Sequence, residues 1–496
     1  MTFNSYSFIF IFLPVFLSGV WAIQRFYPNS GFKDRLIKLW LIAMSAFFFV
    51  GYGRFSILIF CASIVWNALF SYLVSGSKGA DSVGDKTNSK IFLLKTVAII
   101  GDVILLCFFK YFNKGAMPIA ISFYTFSQIM YVADLNEDHD FDFVDYLCYI
   151  TFFPKILQGP IAQHKNIEDG IGRLSSSRIN TADLSAGMML FTLGLFKKVI
   201  LADVLGKAVD FGYQGLSGLT GLDAVILAVS YSFQLYFDFS GYCDMAEGVC
   251  RMLGMELTRN FDAPYTAGNI AEFWDRWHIS LTKFFTKYIY IPLGGSRRGV
   301  ARTYANILIV FFISGLWHGT GLNFIIWGMM HGILMVITRL AGGKSKEIKK
   351  NPVKVFLTFS YVTAAWVFFR APGIYEAMTV LGRVFDPGAY NGLHISIKFA
   401  ECFMVDEIWY IFKVTPIPGW NKSNYICMWI ILVMSALLIF SGKTARKIAQ
   451  KSYDIISSGD EKKKFGKAVV PVLYGIIFVW GVLSLGGVST FLYVNF

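Results

Sequence analysis

Three of the six histidines of this 496-residue chain lie between residues 231 and 331, each within apolar and aromatic sequence. They are His278 in RWHISL, His318 in SGLWHGTG and His331 in GMMHG. A neutral imidazole, whose reference pKa is about 6.5, can accept a proton at physiological pH and act as a general base. Ionisable groups are costly in apolar surroundings and usually mark a function there. These histidines therefore indicate a candidate site for proton-transfer chemistry.

His318 has the most distinctive flanks of the three. Trp317 precedes it, and Gly315 and Gly319 lie on either side. Glycines at these positions let a substrate or another backbone approach closely, and desolvation favours the neutral, proton-accepting imidazole. In the structural alternative, the glycines pack helices together and the imidazole bonds to a neighbouring helix. We interpret His331, with less distinctive flanks, as structural.

His278 falls in a segment, residues 267–290, whose pattern predicts an amphipathic helix at or in the membrane. Thr266 or Asn269 could cap this helix, and large apolar residues recur along it at spacings of three and four. An interfacial helix with an aromatic anchor explains the pattern. It leaves His278 open to a structural role, bonded to backbone, or a functional one.

Acidic residues also interrupt the apolar sequence of this region. Asp238, Asp244 and Glu247 could line a proton path or a substrate channel. A buried carboxylate needs partners, so the alternative is a paired network with Arg251, Arg276 or the histidines.

Two consecutive arginines, Arg297 and Arg298, follow the sequence Pro292-Leu-Gly-Gly. They could contact the phosphates of a donor substrate or anchor the chain at the membrane boundary. The seven cysteines show no CxxC pair and no metal-type spacing. We therefore predict no metal, disulfide or redox site.

Composition places these residues inside an integral membrane protein. Hydrophobic residues make up 55% of the chain and charged residues 16%, against about 25% charged in soluble domains, and the mean hydropathy is +0.54. Apolar runs long enough to cross a bilayer as helix predict about eleven crossings, with less regular segments at 116–133 and 145–163. We expect one polytopic all-α domain with additional re-entrant or interfacial helices.

Loop charge predicts the orientation of the chain. Basic residues concentrate at Lys33–Lys38, 76–90, Lys344–Lys354 and Lys443–Lys467, and the positive-inside rule places these loops in the cytoplasm. Both termini are then predicted to lie outside. The net charge of +13 follows from this topology and fits anionic lipid headgroups. No nucleic-acid partner is predicted, because no basic stripe is interleaved with aromatic residues on a soluble face.

The motifs of this region, taken in order, resemble those of the membrane-bound O-acyltransferase (MBOAT) family, and within it the bacterial alginate O-acetylase type. They are ISFYTFSQIMYVAD, FFPKILQGPIAQ, FQLYFDFSGYCDMAEG, FWDRWHISLTKFFTKYIYIPLGGSRRG and GLWHGTGLNFIIWGMMHG. The resemblance implies a helical bundle with a family core at about 118–340 and a C-terminal transmembrane extension at about 353–496. It also implies that His318 is catalytic and that His278 assists. Candidate donor or tunnel contacts are Asp238, Asp244, Arg276, Arg297, Arg298 and Trp317.

The resemblance further implies a function. An acetyl group would pass from cytoplasmic acetyl-CoA, a substrate and not a bound cofactor, to an acceptor hydroxyl outside the bacterial inner membrane. The modified polymer would be an exopolysaccharide such as alginate or cellulose, reached directly or through an extracytoplasmic acetyltransferase partner. Alternatives are D-alanyl or other acyl transfer to a cell-wall polymer, an ion-coupled transporter, or a non-catalytic scaffold subunit of a polysaccharide synthase. The transporter predicts inverted repeats, which the sequence does not show.

The C-terminal sequence FLYVNF resembles the aromatic motif of a small partner protein in the D-alanylation system, and Tyr493 is by that analogy a candidate acyl carrier. The alternative is an aromatic interface anchor. If Tyr493 carries the acyl group, Tyr493→Phe abolishes polymer acetylation in cells, because the phenolic oxygen is the acceptor. Full acetylation in cells that carry Tyr493→Phe would show that Tyr493 is not an acyl carrier.

Overall fold

The computed structural model describes residues 1–27, 32–77, 85–113, 115, 117–135, 141–342, 351–405, 407, 410, 423–460 and 463–487. Within these ranges every regular element is helical, and no β-strand occurs. Many of the helices are long and apolar. The predicted fold class, an all-α polytopic membrane protein, is confirmed.

The α-helices of these ranges are numbered in chain order. They are α1 (Leu13–Phe26), α2 (Lys33–Val50), α3 (Arg54–Gly76), α4 (Asp85–Cys107), α5 (Ile121–Asp134), α6 (Phe143–Thr151), α7 (Phe153–Ile156), α8 (His164–Ser176), α9 (Thr181–Phe196), α10 (Asp203–Gln214), α11 (Gly221–Met252), α12 (Ile270–Arg276), α13 (Ile279–Phe285), α14 (Val300–His318), α15 (Leu322–Leu340), α16 (Pro352–Arg370), α17 (Ile374–Phe385), α18 (Ile397–Glu401), α19 (Ser423–Phe440), α20 (Ala445–Ser457) and α21 (Lys464–Leu483). The described residues also contain four π-helical turns, at Phe8–Phe12, Phe108–Phe112, Lys197–Ala202 and Thr286–Tyr290.

Nine helices in the described ranges are long and apolar enough to cross a membrane, against about eleven expected from the apolar runs. Helix α5 has 14 residues, fewer than the roughly 20 that a full crossing needs. Helix α9 continues through the π-helical turn Lys197–Ala202 into α10, and this turn brings Lys197 and Lys198 into its apolar stretch. Helix α2 carries four charged residues near its start. The nine spans are Phe8–Phe26, Arg54–Gly76, Asn88–Phe112, Gly221–Met252, Val300–His318, Leu322–Leu340, Pro352–Arg370, Ser423–Phe440 and Lys464–Gly486.

The described residues form two compact units. Unit 1 comprises the described residues within Met1–Phe191 and Met245–Thr258, and unit 2 comprises those within Thr192–Asp244 and Arg259–Leu492. Helices α9 and α11 each contribute residues to both units. The single-domain interpretation, with a family core at about 118–340 and an extension at about 353–496, stays a prediction.

Unit 1 packs around aromatic residues. The Phe153 ring at the start of α7 contacts Phe12 and Phe16 of the first span, with ring centroids 5.1 and 5.0 Å away, and Phe48 of α2 at 5.2 Å. All of α5 from Ile121 to Val132 is buried. The phenylalanine-rich sequence of the first spans therefore forms an interior.

Helix burial separates the protein interior from the lipid-facing surface. In α11, 83% of the most apolar 18-residue stretch is buried inside the protein, whereas the buried share of the corresponding stretch in the span Lys464–Gly486 is 17%. Large apolar side chains such as Phe92 and Ile104 of α4 are more than half exposed, as expected where the surroundings are hydrocarbon. Helix α11 is therefore an internal helix, which explains how it accommodates several acidic residues.

Helices α14 and α15 of unit 2 approach closely through glycines. A Cβ on Gly315 would lie 2.6 Å from the Phe324 backbone oxygen, and one on Gly328 would lie 2.4 Å from that of Phe311. A Cβ on Gly319 would lie 2.2 Å from the Phe324 ring. The glycines beside His318 thus allow α15 to pack closely against α14, because α15 fills the space that they leave. This is the helix-packing role that the sequence allows as the alternative to substrate access.

This packing predicts an unequal response of two helical glycines to the same change. Gly315→Ala should lower the free energy of unfolding by about 1–3 kcal/mol, because the added methyl overlaps a neighbouring backbone. Gly475→Ala in α21 is the matched control: nothing lies within 4 Å of its Cβ position, and stability should stay or rise by about 0.5–1 kcal/mol. Thermal unfolding of the purified variants in detergent measures both, and equal effects would contradict the packing.

Candidate active site

His318 is the last residue of α14, and its imidazole is enclosed by aromatic side chains. Its ring centroid lies 4.4 Å from that of Trp317, 4.9 Å from Trp327 of α15 and 5.0 Å from Phe369 of α16. Only 3% of His318 is exposed. Three helices therefore hold this imidazole in a low-dielectric setting, where interactions with charge that develops during a reaction are strong.

Asn323, at the start of α15, fixes the third wall of this enclosure. Its side-chain NH₂ group donates to the backbone oxygens of Phe368 and Ala371, at 3.1 and 2.9 Å. These two acceptors flank Phe369 and Arg370 at the end of α16. The asparagine of the GLNF sequence thus positions the ring that packs on His318.

His331 shares Trp327 with His318. The Trp327 ring centroid lies 5.3 Å from that of His331, and Trp274 of α12 lies 5.1 Å from His331 on another side. His331 is completely buried. The structure therefore places His331 within the same aromatic cluster as His318, although its sequence flanks indicated only a structural role.

A series of indole rings leads from this cluster to the third histidine. Trp327 stacks on Trp366 with ring centroids 5.5 Å apart, and Trp366 contacts Trp277 at 5.1 Å. Trp277 immediately precedes His278, whose ring packs edge-on against Phe239 of α11 at 4.7 Å. Trp366 and Trp327 were not singled out by sequence, since each is one aromatic residue among many.

The predicted helix over residues 267–290 is divided at His278. Helix α12 ends at Arg276, α13 begins at Ile279, and His278 between them has φ 43° and ψ 51°. A non-glycine residue rarely adopts this left-handed conformation, which costs about 1–2 kcal/mol. The N-terminal cap is Asn269, one of the two predicted candidates, whose side chain accepts from the Glu272 N–H.

Asn260 holds this turn in place. Its backbone oxygen accepts from the Ile279 N–H at 3.0 Å. Its side-chain oxygen accepts from the Ser280 N–H at 3.1 Å and from the Ser280 hydroxyl at 2.7 Å. Asp262 adds a further bond by donating its N–H to the Arg276 oxygen at 3.0 Å. These bonds supply the support that an unfavourable conformation needs.

The buried imidazoles of His278 and His331 have unused bonding capacity. Among the described residues, neither ring nitrogen of His331 has a hydrogen-bond partner, and no other residue bonds to the ring nitrogens of His278. A buried polar group left without a partner costs about 1–3 kcal/mol. His278 lies outside the nine spans, and burial lowers its pKa to about 3, so its imidazole is neutral at physiological pH. Both side chains can therefore bond to polar groups of a substrate.

The intramembrane acids are paired with two lysines that sequence reasoning did not select. Lys198 is almost completely buried and lies 2.7 Å from an Asp238 oxygen and 2.8 Å from one of Asp203. Lys197 lies 2.5 Å from an Asp244 oxygen. The consecutive lysines in the apolar run LFKKVILA were the available signal. Both belong to a π-helical turn, a distortion that often marks functional sites.

The predicted arginine partners of the acids are engaged elsewhere. Arg251 pairs with Asp183 at 3.2 Å. Arg276 pairs with Glu272 and also donates to the Thr266 hydroxyl. The expected network with Arg251, Arg276 or the histidines is therefore corrected for Asp238 and Asp244, because lysines of the adjoining segment lie closer. Removing one partner of such a buried pair costs about 3–5 kcal/mol.

The remaining candidate contacts lie apart from this enclosure. Arg297 and Arg298 are exposed in the turn before α14. Gly294 and Gly299 of this turn have positive φ angles, 104° and 89°. Tyr493 lies outside the described residues. No group of three or more His, Cys, Asp or Glu side chains that could hold a metal ion occurs in the part of the chain that the structure describes.

A largely apolar cleft opens beside the aromatic cluster. It reaches Trp274, one wall of the His331 environment, and Ser314, one turn before His318 on α14. Asp275 and Arg339 supply its charged groups. The other lining residues are Leu281, Thr282, Phe285, Thr286, Tyr290, Ile307, Val310, Phe311 and Met335. A small acyl chain fits the chemistry of these walls.

The left-handed turn at His278 predicts how two variants lacking the imidazole will differ. His278→Gly should unfold with a free energy about 1 kcal/mol higher than His278→Ala, because glycine adopts this conformation without strain. Chemical denaturation in detergent measures the difference. Equal stability would show that the turn relaxes on substitution. Acyl transfer retained only by His278→Gly would assign His278 a purely conformational role.

Comparison with known proteins identifies the family to which this chain is similar. A sequence model of the membrane-bound O-acyltransferase family matches residues 108–371. The peptidoglycan O-acetyltransferase of Helicobacter pylori is 34% identical over 81% of this chain and 83% of its own length. The probable alginate O-acetylase of Pseudomonas putida is 34% identical over 79% and 81%. The teichoic acid D-alanyltransferase of Streptococcus thermophilus is 25% identical over 73% and 93%.

The family match contains His278, His318 and His331, together with the indoles that connect them. The aromatic enclosure of His318 is thus built by the part of the chain that defines the family. The relatives at 34% identity extend the similarity over about four-fifths of the chain. This protein belongs to the membrane-bound O-acyltransferase family and is a multi-pass membrane O-acyltransferase.

Proposed function

We propose that the protein transfers an acetyl group from cytoplasmic acetyl-CoA, across the bacterial inner membrane, to an acceptor hydroxyl outside. The destination is an exopolysaccharide of the alginate or cellulose kind, reached through an extracytoplasmic acetyltransferase partner. The observation that carries this proposal is the His318 imidazole, enclosed by Trp317, Trp327 and Phe369 within the family-defining region.

His318 acts as the general base in this proposal. It accepts the proton of the acceptor hydroxyl while the hydroxyl oxygen attacks the thioester carbonyl. The carbon–sulfur bond then breaks, and the proton passes to the departing thiolate. General-base assistance is worth about 10²–10⁴-fold in rate, and alignment of two bound substrates supplies much of the remainder.

The two other histidines have supporting roles. His278 orients or polarises the reacting groups with a neutral imidazole in a turn fixed by Asn260. His331 lies in the same aromatic cluster and also has bonding capacity for a substrate group. Trp317 packs on His318, and the lysine-paired Asp238 and Asp244 maintain the polar interior of α11.

The sidedness of the reaction follows the predicted topology. With α2 added to the nine spans as a tenth crossing, the basic loops lie in the cytoplasm, where acetyl-CoA is made, and both termini lie outside. Because acyl-CoA does not cross a bilayer, the site must be reached from both faces. The C-terminal Tyr493 is a candidate acyl carrier on the outer side.

The names of the relatives support a polymer as the final acceptor. They specify O-acetylation of peptidoglycan and of alginate, and D-alanylation of teichoic acid. The two O-acetylating relatives are the more similar at 34% identity, against 25% for the D-alanyltransferase, which favours acetyl as the transferred group. A cell-wall polymer is the alternative acceptor.

The proposal predicts that His318→Ala inserts normally into the membrane but loses polymer O-acetylation by about 10²-fold or more, since the general base is removed. The ester content of the polymer, measured in cells that carry the variant as their only copy, is the readout. His394→Ala is the matched control, because His394 is an exposed histidine outside the enclosure. Unchanged acetylation by His318→Ala would contradict catalysis and favour a scaffold subunit.

A further inference from the structure

Helix α20 presents a basic surface that the proposed chemistry does not yet use. Lys447 and Lys451 lie one turn apart on this helix, and Lys443 directly precedes its N-cap residue Thr444. All three lysines are exposed, with 59% of the Lys447 side chain accessible. These three residues define the α20 lysine surface. The spacing of four places Lys447 and Lys451 along one side of the helix.

The opposite side of α20 anchors the helix. Ala445 and Ala449 are buried, and the Ser452 hydroxyl bonds with Tyr474 of α21 at 3.2 Å. The lysines are therefore not needed for packing. The described residues 443–460 and 463–467 contain seven basic and two acidic side chains, so this part of the chain carries a clear positive excess.

The α20 lysine surface is connected to the candidate active site through one aspartate. The Lys447 Nζ atom lies 3.8 Å from an Asp262 oxygen, and Arg259 lies 3.0 Å from the other. Asp262 also donates its backbone N–H to the Arg276 oxygen, two residues before His278. The cations at this point thus adjoin the segment that holds His278.

One carboxylate shared by Arg259 and Lys447 leaves positive charge at this position. Such a surface attracts a ligand with several negative charges and raises its local concentration. Phosphate groups fit lysine well, because each ammonium group donates up to three hydrogen bonds. The donor of the proposed reaction carries phosphates at the end of the molecule remote from its thioester.

We propose that the α20 lysine surface, with Arg259, binds the phosphate groups of the donor thioester and so directs its acyl end towards the His278 segment and His318. The inference rests on the proposed function for the identity of the donor. It adds a binding site on a helix that lies outside the family match at residues 108–371. It also gives the C-terminal part of the chain a role in donor selection.

Anionic lipid headgroups present the same phosphate chemistry to a juxtamembrane basic helix. The two sources differ in what depends on them. A donor site affects the affinity for acetyl-CoA in a neutral bilayer, whereas a lipid site affects only the response to anionic lipid. The test therefore uses vesicles of phosphatidylcholine, with and without phosphatidylglycerol.

The test compares two donors in the full-length protein carrying Lys443→Glu and Lys447→Glu together. Acetyl-CoA has the phosphates, whereas acetyl-pantetheine has the same thioester without them. In phosphatidylcholine vesicles, the KM for acetyl-CoA should rise about tenfold or more through charge reversal at two positions. The KM for acetyl-pantetheine should stay within about twofold. For the unaltered protein, added salt should reduce the difference in KM between acetyl-CoA and acetyl-pantetheine, because it screens the charges of the lysines and phosphates.

Lys354→Glu is the matched control, because it reverses the charge of an exposed lysine near the start of α16, in another segment predicted to be cytoplasmic. It should change neither KM. Binding of free CoA, measured by calorimetry, supplies a readout without turnover, and it should weaken in the double variant and remain in the control. A thermal unfolding midpoint equal to that of the unaltered protein verifies that the double variant is folded.

Equal changes in KM for both donors, or no change for either, would contradict the proposal that the α20 lysine surface binds the donor. An effect seen only with phosphatidylglycerol would assign the surface to lipid and overturn it as well. If the unaltered protein transfers acyl groups from another carrier but not from acetyl-CoA, the proposed function is wrong about the identity of the donor. The calorimetric comparison still decides whether the surface binds the phosphates of CoA.

Discussion

The cost of placing polar side chains inside an apolar interior is the constraint on which this structure depends. Imidazoles, carboxylates and ammonium groups are all found there, and each needs an environment that offsets lost hydration. Two solutions occur. Asp238 and Asp244 are neutralised by Lys198 and Lys197, whereas His318 is kept among aromatic rings. The paired charged groups thus differ in environment from the imidazole to which the proposed function assigns the proton transfer.

The aromatic cluster gives the three histidines a common framework. Trp327 contacts both His318 and His331, and its stacking on Trp366 continues the cluster to Trp277 beside His278. Rings packed in this way have few alternative arrangements, and such rigidity preorganises a site. The family match covers the whole of this framework. The geometry of the cluster and the membership of the acyltransferase family therefore both support acyl transfer at this site.

The sequence predicted the class, the helical fold and the segment that holds the site, because hydropathy and motif order are local properties. It also offered Asn269 as a cap, which the structure has. It did not reveal the break at His278, since helical periodicity continues across a single left-handed residue. The lysine partners of the acids were missed because that pairing joins segments some 40 residues apart. The glycines beside His318 were ambiguous until their neighbour, Phe324, was visible.

In the proposed function, the His318 imidazole performs the proton transfer of acetylation. The most direct measurement is a single-turnover rate of acetyl transfer by the purified His318→Ala protein in vesicles, with donor affinity measured in parallel. We expect a rate at least about 10²-fold below that of the unaltered protein, with donor affinity unchanged. An unchanged rate, or a loss explained entirely by weaker donor binding, would contradict it.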